Sequence, residues 1–176
     1  MSGLRGILFD LDGVLIDSLP SILACFNHAL AQFDRPLLTE ASVRPLIGPP
    51  LEDSAAVVIG SDEPQAVEAF VAVYRRRYAE TCARESLPAA GLHEVLAELA
   101  PRWPLAVATS KAEVFAVEIL GALGVARCFA RGGIFGRSLA LDHSGKAEVV
   151  ARAVQVFGTS AGLVMVGDRE HGVHGA

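Results

Sequence analysis

The stretch "LRGILFDLDGVLIDS" (residues 4–18) decides how the rest of the chain is read. Its first half is a short apolar run that ends in a carboxylate, the pattern of a buried strand. Asp10 and Asp12 stand two apart, so on an extended backbone both side chains leave on the same side. Residues 11–17 read as a tight turn containing Gly13. A helix is expected from Ser18, which can cap it, with Pro20 in its first turn and Ile22, Leu23, Phe26, Ala29 and Leu30 at helical spacing.

The same strand pattern returns twice downstream. "PLAVATS" (104–110) is a buried run ending on Thr109 and Ser110, and "GLVMVGD" (162–168) is another ending on Asp168. Helical periodicity falls between them at 92–100, 112–123 and 146–157, and a further strand is expected within 128–135. Strands alternating with helices imply an α/β fold with a parallel sheet and right-handed crossovers. Residues 19–86 carry no strand pattern. Four prolines and a glycine crowd 34–54, and 63–84 holds the longest helical stripe, through Val67, Phe70, Val71, Tyr74 and Tyr78. The organisation is therefore a core of residues 1–18 and 87–176 with an inserted α-helical cap over 19–86.

Bulk composition excludes several classes of function. With 176 residues, 52% of them hydrophobic, the chain can bury a sizeable core as one domain with an insertion. A net charge of −5 argues against a broad nucleic-acid footprint, and the one dense basic run, Arg75-Arg76-Arg77, reads as a solvated helix face. No apolar stretch approaches the ~20 residues of a membrane helix, and the acidic N-terminal run is no signal peptide. Cys25, Cys82 and Cys128 are odd in number and widely spaced, which suits free thiols in a reducing compartment. A cytoplasmic protein is expected, with neither nucleic acid nor membrane as partner.

In an open parallel sheet, ligands bind at the carboxyl ends of the strands. Here three such ends carry Asp10 and Asp12, Thr109 and Ser110, and Asp168. Two carboxylates this close repel unless a cation neutralises them or one takes a proton. Mg²⁺ suits them, since it takes one or two carboxylates with waters and phosphate oxygens, and Asp168 can supply a further ligand. An Asp carboxylate is also a nucleophile for phosphoryl groups. A second Asp two residues on could protonate the leaving oxygen and then activate water. Lys146, at the start of a helix, is the natural cation to hold phosphoryl group and nucleophile together. Thr109 can hydrogen-bond a phosphate oxygen.

"FDLDGVLIDS" (9–18) resembles the first motif of the haloacid dehalogenase (HAD) superfamily of phosphatases. "VATSK" (107–111) resembles its second, "SGKAEVV" (144–150) its lysine motif and "MVGDREHG" (165–172) its fourth. The resemblance covers essentially the whole chain. It implies a Rossmann-like core, shortened at the C-terminus, with the small helical cap of the phosphoglycolate phosphatase-like and nucleotidase-like branch. It implies Asp10 as nucleophile and Mg²⁺ ligand, Asp12 as general acid/base with its backbone carbonyl on the metal, and Asp168 as metal ligand. Thr109 and Lys146 would bind the phosphoryl group beside Ser110, and Gly13 would permit the turn that aims Asp12. "RPLIGPPLE" (44–52) resembles the substrate-specificity loop, which makes Arg44 and Gly48 candidates for leaving-group contact; Arg44 as a plain surface arginine is equally open.

Displacing halide needs no proton on the leaving group, whereas a phosphate ester does, so Asp12 disfavours dehalogenation. The implied activity is Mg²⁺-dependent hydrolysis of a small phosphorylated metabolite through an aspartyl-phosphate. A degenerate, non-catalytic protein and a sugar phosphomutase stay open as alternatives. The family's fourth motif carries a second acid four or five residues after the first, whereas Glu170 here lies too early and residue 172 is glycine. Loss of such a supporting group is expected to weaken Mg²⁺ binding ~10–100-fold without abolishing it. His171 and His174 read as surface histidines. Relatives continue with a further helix and strand, so "LVMV" (163–166) is expected to be a bare sheet edge that favours a homodimer or limits solubility.

Overall fold

The computed structural model describes residues 3–47, 49–138 and 145–168, and these fall into two compact units. One draws on Met1–Asp17 and Leu87–Ala176, the other on Ser18–Ser86.

The first unit is built on a four-stranded parallel sheet in the order β5-β4-β1-β6, with β1 Gly6–Phe9, β4 Leu105–Ala112, β5 Ile134–Arg137 and β6 Leu163–Val166. Central β1 is buried at all four positions, as its continuous apolar run requires. Leu8, Ala106 and Ala108 present one sheet face to Val149, Val150 and Ala153 of α7 (Lys146–Phe157). The small alanines let that helix lie close. So does Gly6, where an added Cβ would sit 2.3 Å from the Phe157 ring. On the alternate side of β1, the Phe9 ring meets Phe129 edge-on with centroids 6.4 Å apart. Helices α5 (Leu92–Leu99) and α6 (Glu113–Ala122) complete the alternation.

Two short strands were not foreseen. β2 (Ile16–Asp17) and β3 (Leu87–Pro88) pair antiparallel at the two points where the chain leaves and re-enters this unit. The strand expected within 128–135 begins later, at Ile134, because 126–129 closes into a 3-10 turn. The strand expected to stop at Ser110 runs on to Ala112.

The second unit packs α1 (Leu19–Gln32) against α4 (Pro64–Glu85), with α2 (Glu40–Val43) and α3 (Leu51–Ile59) between them in sequence. Its centre is aromatic: Phe26 lies 5.0 Å from Tyr74 and 6.2 Å from Phe70, and Phe33 lies 5.5 Å from Phe70. Ser18 does not cap α1 with its side chain. Its backbone is already helical (φ −93°, ψ −5°), which denies the hydroxyl the reach a cap needs. The basic run also differs from a uniformly solvated face. Arg75 and Arg76 are exposed, but Arg77 is half-buried, donates to the Ala24 carbonyl and pairs with Glu85 at 3.0 Å. Cys25, Cys82 and Cys128 are free thiols. Among the described residues, no helix is long and apolar enough to cross a membrane.

Candidate active site

The site grows from the turn that follows β1. Leu11 is fully buried, and its carbonyl accepts from the amides of Val14, Leu15 and Ile16 at 3.3, 2.9 and 3.1 Å. The Gly13 amide donates to the Ile16 carbonyl at 2.9 Å. Buried Leu15 and Ile16 anchor the far side of this curl, so the backbone between Asp10 and Asp12 is held from both ends. Gly13 takes φ +78°, the left-handed region that glycine enters without steric cost. A Cβ there would lie 2.2 Å from Asp168 Oδ2, so the Asp168 carboxylate rests against the Gly13 backbone. The amide of Asp10 donates to the Val166 carbonyl at 2.9 Å, which holds the ends of β1 and β6 together.

Both oxygens of Asp10 are engaged. Oδ1 accepts from the Leu11 amide at 2.8 Å, and Oδ2 pairs with Lys146 Nζ at 2.7 Å. The pair is largely enclosed, with side-chain exposures of 14% for Lys146 and 21% for Asp10, so solvent screens it less than an open surface pair. Lys146 reaches this position because α7 packs flat on Leu8, one residue from the end of β1.

A second ion pair was missed from the sequence. Lys111 Nζ lies 3.2 Å from Asp12 Oδ1. The cause is an irregularity in β4, where four residues advance from Ala108 to Ala112 against two on β5, from Phe135 to Arg137. Such bulges re-aim side chains beside functional sites. Placing the strand's end at Ser110 hid Lys111; the two-residue spacing of Thr109 and Lys111 on an extended chain was the available signal. Thr109 is buried, and its Oγ1 accepts from the Lys111 amide at 3.2 Å. Ser110 is exposed within the bulge. Arg44 opens a 3-10 turn (Arg44–Leu46) in the helical unit and is exposed. Gly48, Glu170, His171, Gly172 and His174 lie outside the described residues.

The donor set is oxygen only. No three His, Cys, Asp or Glu side chains among the described residues draw together into a ready-made metal cluster. Mg²⁺ does not require one, because it binds through one or two carboxylates and keeps waters and phosphate oxygens. Asp10 and Asp168, from the adjoining ends of β1 and β6, fit that requirement.

The sequence pattern of the family described as haloacid dehalogenase-like hydrolase matches residues 7–176. Tyrosine-protein kinase PtkA of Mycobacterium tuberculosis is 37% identical over 173 residues, spanning 97% of this chain. The chain spans only 57% of that kinase's length. A 5'-nucleotidase from Pseudomonas aeruginosa is 38% identical over 174 residues, covering 97% of this chain and 76% of the nucleotidase. A phosphoglycolate phosphatase from Caulobacter vibrioides is 31% identical over 180 residues, with coverages of 97% and 73%. Among solved structures, a haloacid dehalogenase-like family hydrolase from Streptococcus pneumoniae superposes with a TM-score of 0.86 at 30% identity, over 100% of this chain and 81% of that one. The parallel sheet, the paired aspartates after its first strand and these similarities together place the chain in the haloacid dehalogenase-like hydrolase family.

Proposed function

We propose that the protein is a Mg²⁺-dependent phosphomonoesterase acting on a small phosphorylated metabolite, phosphoglycolate-like or nucleotide-like, in the cytoplasm. The observation that carries this reading is the engagement of Asp10: an aspartate at a strand end, pinned by the Leu11 amide and by Lys146 at 2.7 Å, with Asp12 two residues away.

In the first step, a carboxylate oxygen of Asp10 forms a bond to phosphorus as the bond from phosphorus to the ester oxygen breaks. Asp12, protonated, gives its proton to that departing oxygen, so the alcohol leaves neutral and Asp12 becomes a carboxylate. In the second step, Asp12 takes a proton from water as the water oxygen attacks phosphorus. The bond from Asp10 to phosphorus breaks, and inorganic phosphate leaves. Lys146 neutralises charge shared by the nucleophile and the phosphoryl oxygens, and Thr109, with Ser110 beside it, offers hydroxyl contact. Asp10, Asp168 and the Asp12 carbonyl would hold Mg²⁺, which when bound neutralises the crowded carboxylates and the phosphoryl charge. Arg44 and Gly48 are proposed contacts for the leaving group.

Hydrolysis of 4-nitrophenyl phosphate, with and without Mg²⁺, tests the reading. Activity that needs Mg²⁺ and vanishes in Asp10→Asn is expected; activity surviving in that variant contradicts it. A second reading draws on the 37% identity to a protein named a tyrosine kinase across 97% of this chain. The phosphoryl group on Asp10 would then pass to a tyrosine hydroxyl instead of water. Transfer of phosphate from ATP to a tyrosine-containing peptide, lost in Asp10→Asn, favours that outcome. We also propose that a second copy of this chain associates along β6, whose alternate side chains Val164 and Val166 are exposed.

A further inference from the structure

Asp12 has to give up a proton in one step and take one in the next, and a carboxyl group has two oxygens that could carry it. The surroundings of the two are unequal. Asp12 Oδ1 is buried and faces Lys111 Nζ at 3.2 Å, while the side chain as a whole keeps 32% exposure. The open part of the carboxyl is therefore not Oδ1. An oxygen facing an ammonium cannot also carry an acidic proton directed at a substrate.

Lys111 is no ordinary surface lysine. Its side chain is only 10% exposed, and its backbone amide is tied back to its own strand. Its amide donates to Thr109 Oγ1 at 3.2 Å, and its carbonyl lies over Gly136, where an added Cβ would come within 2.5 Å of that oxygen. Ordering a lysine side chain costs rotamer entropy, and a fixed backbone amide lowers the number of arrangements still to be lost. The two lysines also divide the two aspartates: Lys146 from α7 takes Asp10, and Lys111 from β4 takes Asp12.

We propose that Lys111 is a positioning residue for Asp12. Its ammonium holds Oδ1 and so makes Oδ2 the oxygen that delivers the proton to the leaving group and later receives one from water. The assignment rests on the phosphomonoesterase reading. It makes Lys111 dispensable where the leaving group departs without a proton and necessary where it does not.

The test compares the first turnover, the burst of alcohol released as Asp10 is phosphorylated, on two substrates. One is 4-nitrophenyl phosphate, whose leaving group needs no proton; the other is glycerol phosphate, whose leaving group does. Lys111→Met should slow the burst on glycerol phosphate by on the order of 100-fold, the lower end of a general acid's contribution, and barely change it on the aryl ester. Lys111→Arg should restore most of the difference. Equal slowing on both substrates would assign Lys111 a merely structural role and overturn the proposal. A raised KM for glycerol phosphate with an unchanged burst rate would also overturn it, by making Lys111 a substrate contact. If Lys111→Met fails to fold, Lys111→Gln carries the same comparison. A wild-type protein that turns over neither substrate removes the phosphomonoesterase reading and this proposal together. Wild-type turnover that is lost in Asp10→Asn, with no change of selectivity in Lys111→Met, removes this proposal alone.

Discussion

At the scale of single residues, Gly13 is constrained both by its backbone angle and by the side chain against it. Alanine there would have to enter the left-handed region, at a cost of about 1–2 kcal/mol, and its Cβ would displace the Asp168 carboxylate from 2.2 Å. If Asp168 serves the metal, Gly13→Ala raises the Mg²⁺ concentration needed for half-maximal hydrolysis by about 10-fold or more. An unchanged Mg²⁺ dependence would separate Asp168 from the metal. In the helical unit, burial pushes the Cys25 thiol from 9.0 up to about 11, against the opposing pull of Arg77. Because the folded value is raised, burial of the neutral thiol contributes full stability below pH 9. That contribution is lost as pH rises towards 11, since the unfolded chain ionises first. Thermal unfolding followed across this interval should therefore fall less steeply in Cys25→Ala than in wild type; parallel curves would remove the thiol as the cause. Residue types and spacing made Asp10, Asp12 and Lys146 visible in the sequence, because carboxylates and a cation at strand and helix ends are hard to explain by packing. Lys111 was legible only through its two-residue spacing from Thr109, because its place against Asp12 depends on a bulge that no local propensity announces.

At the scale of elements, periodicity located the long pieces: strands at 6–9, 105–112 and 163–166, the first buried throughout and the last alternating between half-buried and exposed positions, and helices at 64–85 and 146–157. The two-residue strands β2 and β3 are too short to carry a period, and they pair residues about seventy positions apart, so only the tertiary fold defines them. The β4 bulge is supported by a clasp between β5, α6 and α7. Glu113 Oε2 accepts from the Gly136 amide at 3.1 Å and pairs with Arg152 Nη1 at 3.4 Å, while Arg152 Nη2 donates to the Gly136 carbonyl. A methyl group on Gly136 would meet backbone on both sides, 2.5 Å from the Lys111 oxygen and 2.6 Å from the Glu113 Cα and N. Backbone cannot yield as a side-chain tip can, so Gly136→Ala should cost about 1–3 kcal/mol in denaturant unfolding. Gly121→Ala, inside α6 with nothing within 4 Å of the new Cβ, should instead gain up to about 1 kcal/mol from helix propensity. Equal effects of the two substitutions would show that the clasp does not constrain β4.

At the scale of the whole molecule, family membership narrows the chemistry, but the relatives bear names from more than one kind of phosphoryl transfer, a kinase beside phosphatases. What separates them is the acceptor, and leaving-group and acceptor contacts are not encoded by the paired aspartates. Among the described residues β6 pairs with β1 alone, and its alternate side chains Val164 and Val166 are 49% and 38% exposed. Association should then rise with concentration in light scattering and weaken in Val164→Lys; a monomer at high concentration in the wild type would refute the edge contact. The central claim is narrower than any of these, namely that Asp10 receives the phosphoryl group. Rapid acid quench of the protein with 4-nitrophenyl phosphate and Mg²⁺, followed by mass spectrometry of its peptides, tests that directly. The account predicts one added phosphoryl group on the peptide holding Asp10, absent from Asp10→Asn; a phosphoryl group on another residue, or hydrolysis by Asp10→Asn at the wild-type rate, would contradict it.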